Sequence, residues 1–105
     1  MEARRLRMVT PEYFETIGLA LKRGRLITRD ERPERAGVVV NEALVRKYYA
    51  TEEPIGKEIY LGAPDNRLFP TGVIVGVVGD TRDAGLGSDA MPTVYAPYQV
   101  MPYWR

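Results

Sequence analysis

The run Ala36-Gly37-Val38-Val39-Val40-Asn41-Glu42-Ala43-Leu44-Val45 constrains this chain more than any other part of its sequence. Three consecutive valines have stiff, β-branched side chains that favour extended backbone. An uninterrupted apolar run, with no polar alternation, is the pattern of a strand covered on both faces. Asn41 follows at once and has the side chain that best accepts the free amides of a helix start. Glu42 complements the positive end of that helix, and Leu44, Val45 and Tyr48 fall on one apolar stripe. The sequence therefore predicts a buried strand over 36–40 running straight into a helix over 42–49.

Elements on either side follow from similar signals. Leu6 and Met8 alternate with Arg5, Arg7 and Val9, which predicts an edge-like strand over 3–9. Thr10 is the expected N-cap, Pro11 the first helical residue and Gly18 the stop of a short helix over 11–17, with Phe14 and Ile17 facing the core. Leu19 to Arg35 mixes leucines with charges in no clear period and reads as a loop with short extended pieces. Pro54-Ile55-Gly56 turns the chain into a strand over 57–61, and a surface connection leads to a strand over 73–79, the two forming a hairpin with a long tip. Residues 81–92 read as a polar loop. A last strand, 93–98, carries Pro97, which predicts an edge position. The expected fold class is α+β: a mixed β-sheet with two short helices.

Composition removes several kinds of chemistry. No cysteine or histidine occurs among the 105 residues, so thiolate nucleophiles, disulfides and the Ser-His-Asp arrangement are excluded. Ser88 has no histidine to activate it, and turn chemistry is its preferred reading. Lysine and arginine total 15 against 14 acids, a net charge of +1, which demands no polyanionic partner. The longest apolar stretch, Val73 to Val78, falls far short of the ~18 residues that would span a bilayer.

Other constellations have plain structural readings. Gly72, Gly76 and Gly79 do not have dinucleotide-loop spacing and read better as sites of close backbone packing or a bulge. The Walker-type pattern GxxxxGK[ST] is absent, so the chain hydrolyses no ATP by that route. Asp80, Asp83 and Asp89 could hold a hard cation, but they lack the alternating ligands of a calcium loop, and a solvated acidic loop is preferred. Tyr60, Tyr95 and Tyr98 could form a base-stacking face; core and interface roles are preferred, and no nucleic-acid partner is expected. Lys22-Arg23-Gly24-Arg25 reads as a solvated loop or as partners for acids elsewhere or for lipid headgroups. No catalytic, cofactor-binding or metal-binding residue is assigned.

Taken in order, Val9-Thr10-Pro11-Glu12-Tyr13-Phe14-Glu15-Thr16-Ile17-Gly18, Arg23-Gly24-Arg25, Val38-Val39-Val40-Asn41-Glu42-Ala43-Leu44, Pro54-Ile55-Gly56-Lys57, Val75-Gly76-Val77-Val78-Gly79-Asp80 and Pro92-Thr93-Val94-Tyr95-Ala96-Pro97-Tyr98 resemble the MacB-like periplasmic core domain of FtsX/MacB-type ABC-transporter permeases. The resemblance runs over about residues 8 to 99. It implies that residues 1–105 are one piece of a porter/sabre-like ectodomain, its C-terminal part, on the periplasmic side of the bacterial inner membrane. It implies a non-catalytic part that couples ATP-driven motion of membrane helices to export or to periplasmic partners. Its partners would be an ABC ATPase, separate or fused, reached through the membrane part, a periplasmic adaptor and a second permease subunit. Two other readings compete: a free-standing binding module for a small ligand or RNA, and a small hydrolase using Asp80 and Asp83. The connections 62–72 and 81–91 are the expected contact surfaces, from their polarity and length.

Overall fold

The computed structural model describes residues 5–31, 36–60, 71–80 and 91–98. The elements are β1 (Arg5–Val9), α1 (Tyr13–Ile17), β2 (Leu21–Gly24), β3 (Gly37–Asn41), α2 (Glu42–Tyr48), β4 (Glu58–Tyr60), β5 (Thr71–Val78) and β6 (Thr93–Pro97). The strands form one mixed sheet in the order β1-β6-β3-β5-β2, with β4 also paired to β5. β1 runs parallel to β6 and β3 parallel to β5; the pairs β3/β6, β2/β5 and β4/β5 are antiparallel. Since β3 takes one side of β5, β2 and β4 share the other, β4 along residues 71–73 and β2 along 76–78.

β3 is buried along its whole length, as its valine run requires. Val38 and Val40 face one core, with Leu44 of α2, Ile74, Val77, Val94 and Ala96. Val39 faces the other, with Phe14 of α1, Ile27, Val78 and Tyr95. The helices therefore cover opposite faces of the sheet. Beneath α1, Phe14 meets the Tyr95 ring edge-on at 5.2 Å and the Tyr13 ring at 5.6 Å, a geometry that sets the positive ring edge against the negative ring face.

β5 carries one extra residue relative to β3. Val38 pairs with Ile74 but Val39 pairs with Gly76, so the register shifts between them. In a regular strand, residues three apart face opposite sides. The bulge cancels this: Ile74 and Val77 enter the α2 core, while Val75 and Val78 enter the α1 core. At the bulge the backbones of β2 and β5 nearly touch. A Cβ on Gly76 would collide with the Arg25 carbonyl oxygen, and one on Gly24 with that of Val75. Close backbone packing and a bulge, the expected roles, are therefore both met at Gly76.

Several expectations need correction. The stretch 19–35 contains a genuine strand, β2, which its charges and lack of period concealed. Thr10 does not cap α1. Its carbonyl accepts from Tyr13 N at 3.1 Å, closing a turn around Pro11, and the helix starts two residues later than expected, with no side-chain cap. Gly18 does end it, in the left-handed conformation at φ 76°. Ile17 is 42% exposed: the helix is five residues long and anchored at Phe14, and Gly18 turns the chain away before Ile17 can reach the sheet. β6 is not an edge strand, since it lies between β1 and β3. Pro97 is tolerated there because it is the last residue of β6, beyond the pairs Val39–Tyr95 and Val40–Val94 that join it to β3. The true edge on this side is β1, as expected.

Candidate functional site

The polar side chains with most work to do lie where β3, β5 and the start of β6 meet the N-terminus of α2. Asn41 is 1% exposed, yet both atoms of its amide are used. Oδ1 accepts from Leu44 N and from Thr93 N, each at 3.0 Å, and Nδ2 donates to the Met91 carbonyl at 2.9 Å. The expected helix cap is thus present, and the same side chain also fastens the start of β6. Thr93 Oγ1 adds a second donor to the Met91 carbonyl at 2.8 Å. Asp80 closes the group: Oδ1 accepts from Ala43 N at 2.8 Å and Oδ2 from Arg46 at 2.9 Å. A carboxylate satisfied by a helix amide and a guanidinium is a structural tie. Asp83 and Asp89, the other acids of the stretch that reads as a solvated loop, lie outside the described residues. Among the described residues no group of three or more acidic side chains is placed to hold a metal ion.

A second cluster forms around Glu31, whose side chain is 4% exposed. Oε1 accepts from Gly37 N at 2.8 Å, and Oε2 from Thr28 N at 3.1 Å and Arg25 at 2.9 Å. Burial by itself opposes the charge of Glu31, but Arg25 and the amides of Gly37 and Thr28 together outweigh it and hold the carboxyl below its ordinary range. The acid staples the segment leaving β2 to the start of β3, beside an open hollow of about 410 Å³ that reaches the valines at the start of β5. Sequence reasoning missed this node. The signal available was Thr28-x-x-Glu31, the spacing of a capping box, here used without a helix.

Residues singled out for other roles are committed elsewhere. Tyr95 is 1% exposed and lies under α1, so it offers no face to a base; Tyr98 is exposed, and the side chain of Tyr60 lies outside the description. Lys22-Arg23-Gly24-Arg25 finds its acids: Arg23 pairs with Glu53 and Arg25 with Glu31. The junction around Asn41 and Asp80 has the chemistry of a fastening. Among the described residues it presents no free nucleophile or base.

The family profile described as MacB-like periplasmic core domain matches residues 2–105. The chain belongs to the MacB-like periplasmic core domain family. A curated relative, the macrolide export ATP-binding/permease protein MacB of Aggregatibacter actinomycetemcomitans, is 33% identical over 91 residues, 86% of this chain and 13% of that protein. The protein of the same name from Mannheimia succiniciproducens is 32% identical over 94 residues, 89% of this chain and again 13% of the relative. The periplasmic region of MacB from Actinobacillus actinomycetemcomitans superposes with a TM-score of 0.73 at 26% identity, covering 96% of this chain and 41% of that structure. The extracellular domain of the noncanonic ABC-type transporter YknZ from Gram-positive bacteria shares the fold, with a TM-score of 0.63 at 15% identity over 90% of this chain and 43% of that one. This MacB-like domain is thus an extracytoplasmic part of an ABC-transporter permease, and it spans about an eighth of the length of the curated relatives it matches. No helix among the described residues is long and apolar enough to cross a membrane.

Proposed function

We propose that this MacB-like domain is a non-catalytic, force-bearing part of a permease in the bacterial inner membrane. It forms the C-terminal portion of an ectodomain and passes the motion of membrane helices, driven by a separate or fused ABC ATPase, to export or to a periplasmic adaptor. The parent permease works as a dimer. The observation that carries the reading is the likeness to MacB over nearly the whole chain, at 33% identity over 86% of its residues. The chemistry of the described residues supports a mechanical role over a hydrolytic one: Glu31 and Asp80 are spent on backbone amides and arginines that hold elements together.

The test is topological. The reading frame on both sides of this domain should encode segments of about 20 apolar residues, one upstream and one downstream. Alkaline phosphatase, which is active only outside the cytoplasm, should be active when fused within residues 61–70. Absence of both segments, or an inactive fusion in a stably produced protein, would overturn the reading and favour a free-standing binding module.

A further inference from the structure

The chain leaves β5 at Asp80 and returns to the sheet through Met91, and both points are tied to one turn of one helix. Asp80 holds the amide of Ala43 at 2.8 Å. Asn41 Oδ1 accepts from the amide of the next residue, Leu44, and from the Thr93 amide, each at 3.0 Å, while Nδ2 donates to the Met91 carbonyl at 2.9 Å. Ala43 and Leu44 belong to the first turn of α2, whose amides have no partner within the helix. α2 is seven residues long, too short to persist without outside support. Its first turn therefore depends on two acceptors, one at the end of β3 and one just past the end of β5.

Asp80 and Thr93 share no bond, but the helix turn connects them. Releasing the Ala43 amide lets the turn fray, which draws the Leu44 amide off Asn41 Oδ1. Asn41 then loses one of the bonds that orient its amide, and the Met91 and Thr93 ties loosen with it. We propose that Asp80, the first turn of α2 and Asn41 form one cooperative unit that couples the two feet of the β5–β6 connection and opens as a whole, separately from the centre of the sheet. A partner or a motion that displaces one foot then displaces the other. The proposal does not depend on the transport reading and can fail alone.

Native-state amide hydrogen exchange on the 105-residue chain, followed by NMR at low urea, tests this without any substitution. The amides of Ala43, Leu44 and Thr93 should share one opening free energy and one urea dependence, both below those of Ile74. Different values for Thr93 and Ala43, or a value for all three equal to that of Ile74, would overturn the unit. Asp80→Ala provides the second arm. Exchange at Leu44 and Thr93, which Asp80 does not touch, should accelerate about five- to tenfold, the equivalent of one lost capping bond, while Ile74 stays unchanged. Acceleration confined to Ala43 makes Asp80 a local cap and ends the proposal. Arg46→Met leaves the Ala43 bond in place and should change Thr93 exchange less than about twofold; an effect as large as that of Asp80→Ala would put the coupling in the exposed ion pair instead.

Discussion

Replacing Gly76 by alanine tests the close approach of β2 to the bulge of β5. The backbone of Gly76 does not have positive φ, so alanine brings no conformational strain and only the new methyl group matters. That methyl would overlap the Arg25 carbonyl oxygen and sit 3.0 Å from the Arg25 carbonyl carbon and 3.3 Å from its nitrogen. All three are backbone atoms, so no rotamer change relieves the overlap and the chain at Arg25 must lift away. Lifting it breaks the bond from Arg25 N to Val75 O, now 2.8 Å, and disturbs the Gly24–Gly76 pair, each worth about 1 kcal/mol net. Ile27, two residues further along the chain, is 3% exposed, and its partial withdrawal from the α1 core costs about 1 kcal/mol more. The reduced freedom of the unfolded chain returns about 0.4 to 1 kcal/mol. The expected net loss is about 2 to 3 kcal/mol, or roughly 10 to 20 °C in Tm for a domain of this size. Urea unfolding followed by circular dichroism measures it, with Gly79→Ala as the control. A methyl there meets only Lys22 Cε at 3.5 Å, an ordinary contact, and should change stability by less than about 0.5 kcal/mol. If the two variants unfold at the same urea concentration, β2 is not pressed against the bulge and the packing argument fails.

Glu31→Gln should destabilise the domain at neutral pH and weaken its acid response. The folded-state pKa of Glu31 lies below the unfolded value, so its contribution is fully present above about pH 4.5 and is lost as the pH falls through the folded value; acid titrations of equal steepness for variant and parent would refute the role of Glu31. Asn41→Asp keeps two acceptors but sets an oxygen against the Met91 carbonyl, where Nδ2 now donates at 2.9 Å, and should cost about 2 kcal/mol or more in chemical denaturation. A loss under 0.5 kcal/mol would mean that the Met91 bond does little. Phe14→Ala removes the buried centre of the aromatic group and should cost about 3 to 5 kcal/mol, lowering Tm in calorimetry; a small shift would mean that α1 is not needed to cover its face of the sheet.

Local signals made much of this protein legible. The valine run before Asn41 marked β3 as doubly covered, and the Asn41 cap placed the start of α2 to the residue, because both depend on short-range sterics and hydrogen bonding. Gly18, in the left-handed conformation, and Phe14, buried against Tyr95, were equally plain. The ordered phrases from Val9 to Tyr98 carried the family resemblance. β2 was hidden because an exposed edge strand needs no apolar period, and all four of its residues are exposed. Pro97 misled because a missing N–H excludes a strand from the interior only where a neighbour requires that donor.

What only the tertiary structure decided concerns contacts between residues far apart in the chain. The extra residue in β5 sends Ile74 and Val77 to one core and Val75 and Val78 to the other, a choice no alternation pattern reveals, because the bulge exists only opposite β3. The pairing of Glu31 with Gly37 and Arg25, and of Asp80 with Ala43 and Arg46, likewise arises when the sheet assembles. A carboxylate in a sequence has a charge but no address. Its partners appear once the fold brings their amides within about 3 Å of it.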